Sequence, residues 1–304
     1  MRAAVTGATG LLGRALRPHF VKPIILSRNP DKAVEQLGNV TAHAWTPDAG
    51  PPPAEALRGT DVVFNLAGEP VADGRWTIEK RNRIRDSRVI GTQNLVAGLA
   101  GLDAHDRPKA LISASAIGYY GDRGDEVLDE DAAVGRGFLA QVCADWESEA
   151  VAAEALGIRV VCIRFGLVLS ASGGALARML TPFRMGIGGR LGSGRQWMSW
   201  VHSEDAVGVM LHAAYTPDLR GTLNAVAPHP VTNADFTKAL AKVLKRPALV
   251  PVPQVALQAM FGEMSEVILS SQRVIPRRTE AAGYVFRHGS IREALAHVFV
   301  STSS

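Results

Sequence analysis

Short apolar runs bounded by turn residues recur along this chain, at about 2–6, 23–27, 40–45, 61–67, 109–115 and 158–165. Segments with helical spacing of apolar positions lie between most of them. Such alternation predicts a doubly wound parallel sheet with helices on both faces. Ile78 to Leu99 and Phe138 to Leu156 read as long helices, and Thr46 to Pro53 reads as a loop. Beyond about residue 170 the pattern changes. A helix starts at Ser172-Gly-Gly-Ala and ends near Pro182, and the stretch Gly186 to Gly194 is too glycine-rich for regular structure. Loops of that kind often surround a ligand. Thr232-Asn-Ala-Asp235 and Ser290-Ile-Arg-Glu293 read as capping boxes that open helices. Ser301–Ser304 reads as a frayed tail.

The first apolar run, Ala3 to Val5, enters the loop Gly7-Ala-Thr9-Gly10-Leu11-Leu12-Gly13, and a helical segment follows. Strand, glycine turn and helix in this order build a dinucleotide-binding site. Gly7 permits the tight turn, Gly10 keeps side-chain atoms away from a pyrophosphate, and Gly13 lets the helix pack on the strand. The expected fold is therefore α/β, a Rossmann-type doubly wound parallel sheet with a smaller, mostly helical C-terminal lobe. The first unit spans 1–170 with a return segment near 197–227. The lobe takes 171–196 and 228–300. At the end of the second strand stand Ser27 and Arg28, with no carboxylate before Asp31. An acidic residue there would hold a ribose 2′-hydroxyl, whereas the arginine fork suits a 2′-phosphate. The expected cofactor is NADP(H).

Composition narrows the class. The chain has 304 residues, 47% hydrophobic and 20% charged, with a net charge of +4. No uninterrupted apolar run reaches the roughly 18 residues needed to span a bilayer, and no signal-peptide pattern is read. The two cysteines, Cys143 and Cys162, make neither a metal framework nor a disulfide scaffold. A cytoplasmic protein fits. The densest basic stretch, Lys80 to Arg88, has no interleaved aromatics, so no nucleic-acid face is expected. The acidic stretch Asp125 to Asp131 lacks the ligand order of a calcium loop and reads as solvated. No metal site is expected.

Further segments carry a resemblance. Asp61-Val-Val-Phe-Asn-Leu-Ala-Gly68, Leu111-Ile-Ser-Ala-Ser115 and Trp200-Val-His-Ser-Glu-Asp205 resemble elements of the extended short-chain dehydrogenase/reductases. Arg75-Trp76, Ile84 to Arg88, Asp145-Trp-Glu147, Gly194-Arg-Gln-Trp197 and Phe261-Gly-Glu-Met264 resemble a narrower subgroup, the epimerase-family proteins of the NAD-dependent epimerase/dehydratase group. The resemblance covers essentially the whole chain. It implies that Gly7, Thr9, Gly10, Leu11, Leu12 and Gly13 hold the pyrophosphate and that Ser27 and Arg28 hold the 2′-phosphate. It further implies that Leu66, Ala67 and Gly68 line the adenosine side, that Arg83 and Arg88 lie near the cofactor, and that Val168 borders the nicotinamide. Ser115 would be the catalytic serine. Relatives dimerise through paired helices, and the apolar face around Ile90, Leu95 and Leu99 is a candidate for a homodimer contact or for core.

The catalytic pattern then departs. These enzymes use a Tyr-x-x-x-Lys pair, in which lysine lowers the tyrosine pKa. The tyrosines here are Tyr119, Tyr120, Tyr215 and Tyr284, and the residues four further on are Arg123, Gly124, Leu219 and His288. The helix that should carry the pair reads Phe138-Leu-Ala-Gln-Val-Cys-Ala-Asp-Trp-Glu147. Three readings follow. One is an enzyme with another base, Tyr119 or Tyr120 near Arg123, with Cys143 and Glu69 as weaker candidates. The second is an NADP(H) binder without turnover, and the third a structural member. For the first, an unidentified nucleotide-sugar-like or carbonyl substrate would meet Arg190, Arg195, Gln196 and Trp197. His202 reads as structural, before a helix that Ser203 caps.

Overall fold

The computed structural model describes residues 1–300; the expected tail at 301–304 lies outside them. Nine strands organise the chain: β1 Ala3–Thr6, β2 Ile24–Ser27, β3 Thr41–Ala44, β4 Val62–Asn65, β5 Ala110–Ala116, β6 Arg159–Phe165, β7 Leu167–Leu169, β8 Trp200–His202 and β9 Gly221–Ala225. Seven of them form one sheet in the order β9-β6-β5-β4-β1-β2-β3, and every pairing in it is parallel. The order reverses between β1 and β4, the switch point where such sheets place ligands beyond their carboxyl ends. The strands read as continuous apolar runs because both faces are covered. One face packs Val5, Phe64, Ile112 and Ile163 under the helix carrying Val209 and Met210. The other packs Ala4, Val63, Leu111 and Val160 under the helix carrying Leu95 and Leu99.

The helices used below are α1 Leu11–Leu16, α2 Pro30–Leu37, α3 Ile78–Asp86, α4 Val89–Ala100, α5 Phe138–Val151, α6 Gly174–Arg184, α7 Ser203–Tyr215, α8 Asn233–Leu244, α9 Gln254–Phe261 and α10 Ile291–Val300. Their ends follow local chemistry. Asn29 accepts from the Lys32 amide at 3.0 Å with Pro30 at the first position, which starts α2. Thr232 accepts from the Asp235 amide at 3.2 Å and donates to its carboxylate at 2.7 Å, which closes the expected box on α8.

Four expectations change. The helix read over Ile78–Leu99 is two helices. It breaks because the Ser87 hydroxyl bonds the Ile84 carbonyl at 3.2 Å and accepts from the Glu69 amide at 2.9 Å, turning the chain toward the β4 loop. Leu95 and Leu99 are fully buried, so of the two readings of that face they take the core one. The glycines of 186–194 serve backbone closure. A Cβ on Gly189 would lie 1.7 Å from the Val250 carbonyl, and Gly192 and Val252 are bonded through the backbone. The acidic stretch is no solvated loop at its centre. Glu130 is buried, and its carboxylate accepts from the Asn224, Arg278 and Thr279 amides at 3.0, 3.0 and 3.3 Å. It ties the 125–131 segment to β9.

Candidate functional site

The glycine loop joins β1 to α1, and its glycines do different work. Gly7 has φ +66°, and a Cβ there would lie 2.5 Å from the Leu66 carbonyl oxygen. A Cβ on Gly13 would lie 2.4 Å from the Ala8 Cα. Both are required for β1, α1 and the β4 loop to approach. Gly10 is exposed with an ordinary φ of −74°, and its Cβ would meet only the Gly7 carbonyl, at 3.1 Å. A side chain at Gly10 therefore asks the Gly7 carbonyl to give by a few tenths of an ångström, far less than at Gly7 or Gly13, and fills the space above the turn. No side chain caps the first turn of α1. Leu11 and Leu12 are half-buried at its mouth, and Arg14 is tied back to the Thr9 carbonyl at 2.9 Å.

Beneath the loop runs a buried polar network. The Thr6 hydroxyl donates to Asn65 at 2.9 Å and accepts from the Leu66 and Ala67 amides at 3.0 Å each. Asn65 donates to Thr92 at 2.8 Å, and the Trp146 indole donates to the same hydroxyl at 2.9 Å. Satisfied networks of this kind fix geometry. Here they hold Leu66, Ala67 and Gly68 against the glycine loop. Thr6, Asn65 and Thr92 were not singled out in the sequence, although polar residues inside apolar strands were a usable signal.

At the end of β2, the Ser27 hydroxyl donates to the Asn29 carbonyl at 3.1 Å, and Arg28 is exposed. Glu69 lies opposite. Its hydrogen bond from Lys80, at 2.7 Å, holds its carboxyl below the usual carboxylate range, with added pull from Arg83 and Arg28. Arg83 Nε lies 3.7 Å from the same oxygen. Arg28, Lys80 and Arg83 thus surround a single carboxylate, leaving an excess of positive charge. Arg88 lies below Gly68, donating to the Glu69 and Ile84 carbonyls at 3.0 Å each, with its guanidinium 5.2 Å from the Trp146 ring. Burial pushes its pKa down. Among the described residues, no carboxylate comes within ion-pair distance of Arg88. The structure therefore gathers Arg28, Arg83 and Arg88 around Glu69. The open turn at Gly10 and the cationic rim fit a dinucleotide. Val168 packs against the same core as Leu12 and Leu66, and Gly174 connects it to Leu11.

The serine end of the sheet edge is different. Ser115 is buried and its hydroxyl donates to Glu147 at 2.6 Å. Glu147 is gripped by Arg164, with Nε to Oε1 and Nη2 to Oε2 both at 2.8 Å. Burial works against the Arg164 charge, yet the carboxylate holds its pKa above the usual guanidinium range. The guanidinium lies 3.4 Å from the Tyr119 ring centroid. Cys143 and Glu147 stand four apart on α5, the spacing the missing tyrosine and lysine would occupy. The motif Asp145-Trp-Glu147 gives Glu147 no role by itself, but an arginine inside the apolar run Arg159–Phe165 marks a buried partner.

The candidate bases change accordingly. Tyr120 is fully buried, donates to Asn224 at 2.8 Å and accepts from Arg164 at 3.0 Å; burial pushes its pKa up to about 12. It cannot reach a substrate. Burial likewise pushes the Cys143 thiol up to about 11. Glu69 belongs to the cationic rim. Arg123 pairs with Glu126 at 2.6 Å and does not serve the tyrosines. Tyr119 is half-buried, and among the described residues its hydroxyl has no hydrogen-bond partner. Of the substrate candidates, Gln196 is buried and donates to the Leu191 carbonyl at 3.0 Å, so it holds the loop. Arg190 and Arg195 are exposed on that loop. Trp197 is brought toward the serine end, because Gln272 bonds both the Trp197 carbonyl and the Ile117 and Gly121 carbonyls. Its ring lies under Arg273 at 4.4 Å. His202, not Ser203, caps α7 through Nδ1, at 3.2 Å from the Glu204 amide.

Comparison with known proteins agrees with this geometry. Residues 3–225 match the NAD dependent epimerase/dehydratase family, and residues 252–298 match a domain of unknown function, DUF1731. The chain is 42% identical over 301 residues to the epimerase family protein Mb2239 of Mycobacterium bovis, covering 97% of this chain and 96% of that one. It is 35% identical over 308 residues to the human epimerase family protein SDR39U1, covering 98% and 99%. The crystal structure of human SDR39U1 (isoform 2) with NADPH superposes with a TM-score of 0.86, at 32% identity over 98% of this chain and 99% of that chain. MoeE5 in complex with UDP-glucuronic acid and NAD shares the fold, with a TM-score of 0.78 at 21% identity over 100% of this chain and 99% of that one. No helix among the described residues is long and apolar enough to cross a membrane.

Proposed function

The chain belongs to the NAD dependent epimerase/dehydratase family, and from that premise we propose that it binds NADP(H) and exchanges hydride with an unidentified nucleotide-sugar-like or carbonyl substrate. One observation carries the reading. Gly10 opens onto space at the β1–α1 turn while Gly7 and Gly13 are locked in packing, so the loop is shaped around something outside the chain. The cationic rim of Arg28, Arg83 and Arg88 favours the 2′-phosphorylated dinucleotide over NAD(H). The similar human protein crystallised with NADPH supports that choice. The bound dinucleotide would supply the hydride. Ser115 would orient the substrate oxygen and Tyr119, with Arg164 stacked 3.4 Å from its ring centroid, would supply the proton. Arg190, Arg195 and Trp197 border the substrate side.

A second reading, NADP(H) binding without turnover, is favoured by one contact. The Ser115 proton is committed to Glu147 at 2.6 Å, so the serine presents lone pairs rather than a donor. Titration with NADPH and NADH, followed by a screen of nucleotide sugars and small carbonyl compounds with NADPH consumption as the readout, separates the two. Turnover that falls in Ser115→Ala and Tyr119→Phe, with NADPH binding kept, supports hydride exchange. Tight NADPH binding with no compound turned over supports the second reading. No preference for NADPH over NADH overturns the cofactor assignment.

A further inference from the structure

Away from the sheet edge, three imidazoles and a carboxylate converge from three parts of the chain. His202 ends β8, Glu204 lies in the first turn of α7, His288 lies in the loop before α10, and His297 lies on α10. One nitrogen or oxygen from each lies within 4.8 Å of the others. His288 Nε2 is 3.0 Å from Glu204 Oε2, and His297 Nδ1 is 3.3 Å from His202 Nε2. The edge of a tetrahedral site with metal–ligand bonds of about 2.0–2.1 Å is about 3.3–3.4 Å, close to the His288–Glu204 spacing. The ring centroids are 3.8, 4.8 and 5.0 Å apart. We propose that Glu204, His288 and His297 bind a divalent transition-metal ion of the zinc type, with His202 as the outer partner that orients the site.

The assignment of roles follows from hydrogen bonding. His202 Nδ1 accepts the Glu204 amide at the start of α7. In a neutral imidazole the proton is then on Nε2, so His202 is a donor and not a ligand. Its Nε2–H points at His297 Nδ1, 3.3 Å away; an ion bound at that nitrogen would take its lone pair and leave the His202 N–H to a metal-bound water completing the two imidazoles and one carboxylate. The site is also preorganised. Asp205 is fully buried, and its carboxylate accepts the Arg287 and His288 amides at 2.8 and 3.0 Å and the Tyr284 hydroxyl at 3.0 Å. The His288 backbone is thereby fixed over the first turn of α7. His202 forms a buried floor, whereas Glu204 is exposed and His288 and His297 are half-exposed, which leaves an entry path. Two nitrogen donors favour a borderline ion over magnesium or calcium. Bound there, the ion would clasp α10 and the 284–290 segment to α7.

The test uses the full chain, stripped with a chelator and titrated with Zn²⁺ by calorimetry and with Co²⁺ by visible absorption. One equivalent is expected, with a raised melting temperature and the ligand-field band of a tetrahedral Co²⁺ site. His288→Ala and His297→Ala should each weaken binding at least about tenfold. His202→Asn keeps a capping side chain and should weaken it by about 10–100-fold. His105→Ala controls for the exposed group Asp103, His105 and Asp106 and should change nothing. Should the alanine variants fail to fold, the Co²⁺ band of the wild-type chain decides. Its absence, or Zn²⁺ uptake that persists in folded His288→Ala and His297→Ala, overturns the proposal.

Discussion

The two ends of one sheet edge are built on opposite plans. Around β1, β2 and β4 the chain brings small residues and cations to open space: Gly10 and Gly68 are exposed, Arg28, Lys80 and Arg83 surround one carboxylate, Glu69, and Arg88 lies beneath Gly68. Around β5 and β6 the polar groups are satisfied by one another, from Ser115 through Glu147 and Arg164 to Tyr120 and Asn224. The first end has bonding capacity left for an anion, and the second has consumed most of its own. Family membership therefore says more about what this chain binds than about what it turns over. The chemistry of a site depends on which groups remain uncommitted.

The strongest way to break this comparison is at the glycines. Gly10→Val should weaken NADPH binding by at least about a hundredfold, on the order of 3 kcal/mol, while circular dichroism stays native. Gly13→Val should instead unfold the chain, because its Cβ meets backbone at 2.4 Å. A Gly10→Val chain that binds NADPH normally would remove the open end from the comparison. At the other end, Glu147→Gln should cost about 3–5 kcal/mol in urea unfolding, because Arg164 is left as an uncompensated buried charge. A loss below about 1 kcal/mol would mean that the inward-facing network is not holding the fold.

A smaller effect sharpens the open end. Arg28→Ala should lower NADPH affinity roughly tenfold and leave NADH affinity unchanged, as expected for one charge-assisted hydrogen bond. Equal losses for both dinucleotides would place Arg28 elsewhere than on the 2′-phosphate. The smallest effect concerns the closed end at high pH. Burial raises Cys143 from 9.0 to about 11 and Tyr120 from 10.0 to about 12. Between each pair of values the unfolded chain has lost a proton that the folded chain keeps, so stability falls as pH rises above about 9. Urea midpoints at pH 8, 9 and 10 should decline in order, and Cys143→Ala should make the decline shallower without moving its onset, because burial also pushes the Cys162 thiol up.

Much of the molecule was legible in its sequence. The six early strands, the parallel α/β class and the Gly7-to-Gly13 turn are written in local patterns, since burial on both faces demands continuous apolar runs and a tight turn demands glycine. Arg28 was legible too, because it ends β2, whereas Arg83 and Arg88 on the 78–99 segment came only from the family resemblance. The break at Ser87, the closing role of Gly189 and the burial of Tyr120 were not, because each depends on what arrives from elsewhere in the chain.

By itself, then, the sequence determined the elements, their alternation and the absence of a Tyr-x-x-x-Lys pair, all properties of residues close together along the chain. Only the tertiary structure decided that Ser115 gives its proton to Glu147, that Arg164 and not Arg123 lies against Tyr119, and that three histidines meet at the start of α7. Those contacts join residues from 32 to 95 positions apart. The register of β5 on β6 and the docking of α10 set their distances, and neither leaves a mark in the local pattern.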